Sequence, residues 1–123
     1  MSEFLRDLSI KYLNEALKLM QGGKHKEASK YLEQAEEASL KAEAYDVFLY
    51  VRTIKGRLMQ TVGAYEEASK ILFLNLKTTE ELLSKDPDNE LYQLIFQMNL
   101  NSIFTLGSIF GSVAKNLAIL QNQ

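Results

Sequence analysis

The chain contains no cysteine, no tryptophan, one proline, one histidine and six glycines among its 123 residues. Without cysteine it can form no disulfide, no thiolate nucleophile and no Cys-based metal site, which fits a reducing compartment, so a cytoplasmic location is expected. His25 is the sole imidazole. Paired histidine ligands are therefore excluded, and no metal is expected. Because helix breakers are confined to Pro87 and to Gly22, Gly23, Gly56, Gly63, Gly107 and Gly111, long helices are predicted. The N-terminal stretch Met1-Ser2-Glu3-Phe4-Leu5-Arg6-Asp7 lacks the basic segment followed by an apolar run that a signal peptide needs, so export by that route is not expected.

Positive charge is also in short supply. A net charge of -2 offers a phosphate backbone no general attraction, so nucleic acid is not an expected partner, and Lys24-His25-Lys26 and Arg52-Lys55-Arg57 read as solvated helix faces. The glycines of Gly107-Ser108-Ile109-Phe110-Gly111 make no phosphate loop, since the lysine and the preceding strand are both missing. Glu36-Glu37, Glu66-Glu67 and Glu80-Glu81 are adjacent pairs, which a helix turns ~100° apart and so makes poor acid/base partners. No catalytic residue and no cofactor is expected, and the chain reads as a non-enzyme.

What is present is an ordinary globular balance, 46% hydrophobic and 24% charged, in a chain long enough for one core. A single all-α domain follows. Leu5, Leu8, Tyr12, Ala16 and Leu19 form one stripe, and Ile10, Leu13, Leu17 and Met20 a second, both at helical spacing. This first helix stops at Gly22-Gly23, where a left-handed residue costs nothing. A second helix is predicted from about Lys24 to Ala42, with Ala28, Leu32 and Ala35 inward and Glu33, Glu36, Glu37 and Lys41 outward. A third runs from near Ala44 to Gly63 and a fourth from Ala64 to Lys85. Asp86-Pro87-Asp88-Asn89-Glu90 then supplies a stop and a new start.

Two phrases recur. Gly23-Lys24-His25-Lys26-Glu27-Ala28-Ser29-Lys30 and Gly63-Ala64-Tyr65-Glu66-Glu67-Ala68-Ser69-Lys70 stand 40 residues apart. Helix hairpins that recur at such an interval stack side by side, because one hairpin cannot bury its own apolar face. The matching residues are Tyr12, Ala16, Leu19, Gly23, Ala28, Leu32 and Ala35 in the first unit and Gly56, Met59, Gly63, Tyr65, Ala68 and Leu72 in the second, with Leu106-Gly107 and Phe110 opening a third. This pattern resembles the tetratricopeptide repeat. His25 replaces the usual turn aromatic, Asn75 replaces the last small residue of the second unit, and Gly56 to Gly107 spans 51 positions.

The resemblance implies a right-handed α-α superhelix of about five helices, with repeat one at about 5–42, repeat two at about 44–85 and a partial third or capping helix at about 88–121. It also implies a partner-binding groove lined by first helices, which places Leu13, Leu17 and Met20, then Tyr50, Thr53, Arg57 and Gln60, then Phe104 along it, with Ile10, Asn101 and Ser108 beside them. That set lacks the Lys/Asn grip some family members place on a peptide carboxylate. An apolar or amphipathic peptide or helix of a partner protein is the expected ligand.

The C-terminal segment differs from the rest. Lys115 is its one charge after residue 90, against 29 before it. A narrow neutral strip of Gln93, Gln97, Asn101, Thr105, Ser108 and Ser112 separates two apolar flanks, and Gly107, Gly111, Ala114 and Ala118 form a small-residue row. So many polar groups argue against a membrane span. Three arrangements remain: packing onto the chain's own helices, a homodimer through Ile103, Gly107, Phe110, Gly111, Ala114 and Leu117, or docking of another protein's helix.

Overall fold

A computed structural model describes the backbone of residues 2–121 and every side chain among them except those of 112–114, 117 and 120. It is all-helical: α1 Ser2–Gln21, α2 His25–Lys41, α3 Tyr45–Thr61, α4 Tyr65–Lys85 and α5 Glu90–Gln121. No strand occurs among the described residues.

The first three turns share one hydrogen-bonding scheme. At the end of α1 the Gly23 N–H donates to the Met20 carbonyl at 3.1 Å and the Lys24 N–H to the Leu19 carbonyl at 2.8 Å. Glu43 and Ala44 repeat these bonds onto Leu40 and Ser39, as do Gly63 and Ala64 onto Gln60 and Met59. Each is a Schellman closure, which needs one residue with positive φ. Gly23 (75°) and Gly63 (86°) provide it freely, whereas Glu43 is held there at 55° against the preference of an L-residue. The closing residues Lys24, Ala44 and Ala64 carry no side-chain cap. The α4–α5 connection works otherwise: the Asn89 side chain accepts the Tyr92 N–H at 3.0 Å and so caps α5.

Small residues set the helix spacing. Ala16, Ala28, Ala35 and Ala68 are fully buried, and α1 packs on α2 around Leu13, Ala16, Ala28, Leu32 and Ala35. Gly56 lets α3 come so close to α4 that a Cβ built there would lie 2.8 Å from Leu72 Cδ2. Ridges approaching at this range leave no room for a larger side chain.

α3 is the centre of the molecule and touches all four other helices. Among the described residues α1 otherwise meets only α2, and α2 meets neither α4 nor α5. α3 thus stands between α1 and α5, with α2 packed against both α1 and α3 and α4 packed against both α3 and α5. Val47, Val51, Ile54 and Leu58 of α3 join the α1–α2 cluster, Ala68, Leu72 and Leu106 form a second one, and Ile95 of α5 is also fully buried. Helix α5 is continuous through Gly107 and Gly111. Tyr65, at the start of α4, packs edge-on against Phe110 with ring centroids 6.1 Å apart. With a rise of ~1.5 Å per residue, the rest of α5 extends roughly 16 Å past that level.

Candidate interaction surface

Where α3 and α5 run alongside each other they enclose an open cavity of about 350 Å³ lined by Arg57, Gln60, Thr61, Asn101, Ser102, Thr105 and Ile109. One turn of α3 supplies Arg57, Gln60 and Thr61, and successive turns of α5 supply the other four. The Arg57 Nε–H donates to Ser102 Oγ at 3.2 Å, which fixes the guanidinium at the wall and leaves its remaining donors for an acceptor in the cavity. The lining is polar and cationic at one point, with Ile109 as its apolar member.

Of the expected groove residues, the structure brings Arg57 and Gln60 together there with Asn101. Two of the others require correction. Leu13 is 7% exposed and belongs to the α1–α2 core, and Thr53 is fully buried. Thr53 is covered because α5 packs over that face of α3: its hydroxyl donates to the Leu49 carbonyl at 2.8 Å and accepts from Asn99 Nδ2 at 2.8 Å. Leu17, Met20 and Tyr50 are half-buried and pack against the same core cluster. Phe104 projects into solvent, 66% exposed, and does not line the cavity.

The expected pairing residues also divide. Ile103 is half-buried against Ala68, Leu72 and Leu106. Gly107 and Gly111 are exposed, and a Cβ on either would meet no atom within 4 Å. Phe110 keeps 48% of its surface exposed beside Tyr65. The side chains of Ala114 and Leu117 lie outside the described residues. Leu94 and Ile119 add exposed apolar surface to the same helix.

Several long-range polar contacts have no counterpart in the sequence patterns. Arg6 and Asp46 form a two-pronged ion pair, both bonds 2.9 Å, joining the starts of α1 and α3. The hydrogen bond from Arg6 holds the Asp46 carboxyl below its ordinary range, and the same bond raises the Arg6 guanidinium. Glu36, expected to face solvent, instead receives Arg52 at 3.0 Å and Lys55 at 3.1 Å, because α2 packs that edge onto α3. Arg52 and Lys55 are therefore not a solvated face; Arg52 also lies 5.7 Å from the Phe48 ring centroid. Asn75 and Asn99 are buried, and Asn75 Nδ2 and Asn99 Oδ1 lack partners. Patterns of local spacing carry no signal for such contacts, whose partners stand 16 to 46 positions apart.

Among the described residues no three His, Asp or Glu side chains are grouped to hold a metal ion. By length and composition Glu90–Gly111 could cross a bilayer. One side of that stretch, with Ile95, Asn99, Ser102 and Leu106, is buried, and α5 packs on α3 and α4, while 22% of its most apolar window is buried in all. Comparison of the chain with protein-family models, with curated proteins and with solved structures returns no match.

Proposed function

We propose that this chain is a non-catalytic protein–protein interaction module of tetratricopeptide-like helix hairpins, binding an amphipathic peptide or helix of a partner along the α1–α3–α5 row. The observation that carries this reading is the cavity between α3 and α5, where one fixed guanidinium and several neutral polar side chains border a row of first helices. Recurrence of the hairpin at 40 residues and identical closure of its turns support the family reading. The half-buried Leu17, Met20 and Tyr50 give the row its apolar character, and Arg57 suits a carboxylate or a carbonyl on the ligand.

Selection of binders from a displayed library of random helical peptides on the immobilised protein tests this. The enriched sequences should carry apolar residues at three-to-four spacing with an acid or amide among them. Their affinity should fall roughly tenfold in Arg57→Ala, the loss of one charge-assisted contact. Recovery of no specific binder, or of binders indifferent to Arg57→Ala and Gln60→Ala alike, would refute the proposal.

A further inference from the structure

The spacing of 51 that carries Gly56 onto Gly107 carries Leu49 onto Leu100 and Thr53 onto Phe104. On α3 these positions are covered: Leu49 is 4% exposed, Thr53 is fully buried and Gly56 is pressed against Leu72. On α5 they are less covered: Leu100 is half-buried, Phe104 is 66% exposed and nothing lies within 4 Å of a Cβ on Gly107. The last helix of the row thus has the surface of an inner helix without the layer that would cover it. We propose that a second copy of this chain provides that layer, through antiparallel pairing of α5 with α5.

The pattern along α5 selects a copy of itself over a foreign helix. Phe96, Leu100, Phe104, Gly107 and Gly111 follow one another at spacings of three and four and so share a stripe. The stripe is bulky at its N-terminal end and small at its C-terminal end. Antiparallel pairing about a dyad between Ile103 and Phe104 sets Phe96 over Gly111 and Leu100 over Gly107 of the other copy. Each large side chain then meets a glycine, and the dyad makes every match twice.

Charge gives the same register independently. Glu90 and Lys115 are the only charged residues of α5, and their separation of 25 positions returns them to one flank, about 20° apart around the axis. In the register set by the glycines, Glu90 falls two positions from Lys115 of the second copy, about 3 Å along the axis, within reach of the lysine stem. Neither residue has an ion-pair partner among the described residues. The cavity at Arg57 is lined by a face of α5 turned roughly 150° from the stripe and stays open, so this pairing goes beyond the groove reading and stands or falls apart from it.

A strip about 40 Å long and about 10 Å wide presents roughly 400 Å² per copy, about half the area of a standard interface, so the association is of the weak, transient class. Sedimentation equilibrium from about 1 to about 300 µM should show the mass rising from 14.0 kDa toward twice that value. Gly107→Lys, which meets no neighbouring atom in the monomer, should keep its helicity and remain monomeric throughout. Glu90→Lys should weaken association several-fold, and adding Lys115→Glu should restore it. A monomer across the whole range overturns the proposal and leaves the stripe to a partner's helix. A dimer indifferent to Gly107→Lys overturns the location, and a charge exchange that fails to restore association overturns the antiparallel register.

Discussion

Gly56 and Gly107 both lie inside helices, and alanine at each gives a measurement in which helix propensity cancels. In either helix, glycine to alanine gains about 0.5–1 kcal/mol from backbone entropy and propensity. At Gly107 that gain is unopposed, because no atom lies within 4 Å of the new Cβ. At Gly56 the Cβ lies 2.8 Å from Leu72 Cδ2 and 2.9 Å from Leu72 Cγ, and Leu72 is fully buried and has nowhere to turn. Overpacking of this kind costs about 1–3 kcal/mol. The two variants should therefore differ by about that amount in urea unfolding followed by far-ultraviolet dichroism, at one low protein concentration so that association adds nothing. Leu72→Ala alone should cost about 2–5 kcal/mol. Combined with Gly56→Ala it should cost less than the sum of the single changes, because the added methyl fills part of the space. If Gly56→Ala stabilises as much as Gly107→Ala, α3 and α4 do not approach as described.

Further expectations concern single residues. Glu43→Gly relieves a left-handed residue and should stabilise by about 1 kcal/mol, while Gly23→Ala and Gly63→Ala, with open space around them, should each lose about as much; thermal melts of all three variants check the set. Asn75→Leu removes a buried donor without an acceptor and should be neutral or stabilising by about 1 kcal/mol, and a clear loss in chemical denaturation would show that Nδ2 is satisfied. Asp46 is held below its ordinary carboxyl range by Arg6, so the pair's contribution is complete above the unfolded value of about 4 and disappears as pH falls through the lower folded value. Because both side chains are partly exposed, the effect should not exceed about 1 kcal/mol; unfolding of Arg6→Ala between pH 5 and pH 2 should show a correspondingly shallower acid loss.

The five helices were legible because their boundaries are chemical. Gly23 and Gly63 mark two closures, and Pro87 with its flanking acids marks the last connection. The turn at Glu43 carries no glycine, yet the exhaustion of the α2 pattern at Ala42 located it. The small residues Ala16, Ala28, Gly56 and Ala68, singled out by the repeat resemblance, all stand at close helix contacts, whereas periodicity by itself identifies only a face. What covers a face is a different question. Leu13 and Thr53 were assigned to a groove by register, and the packing of α2 and α5 buries them instead. Glu36 was assigned outward by charge, but Arg52 and Lys55 make that edge a contact. Pairs of this sort depend on how the hairpins stack, which no local spacing expresses. The open flank of α5 was visible as a segment without charge, and the exposure of Phe104, Gly107 and Gly111 shows which side lacks cover.

The contrast between buried Thr53 and exposed Phe104 can be measured directly, because the chain has no cysteine and each introduced thiol reports alone. Thr53→Cys and Phe104→Cys place a thiol once on α3 beneath α5 and once on the uncovered side of α5. Below about 1 µM protein, where association is minimal, reaction with a small disulfide reagent should be roughly a hundredfold or more slower at position 53 than at 104, since labelling there must await local opening. Equal rates at the two positions would contradict the stacked row with an open last helix.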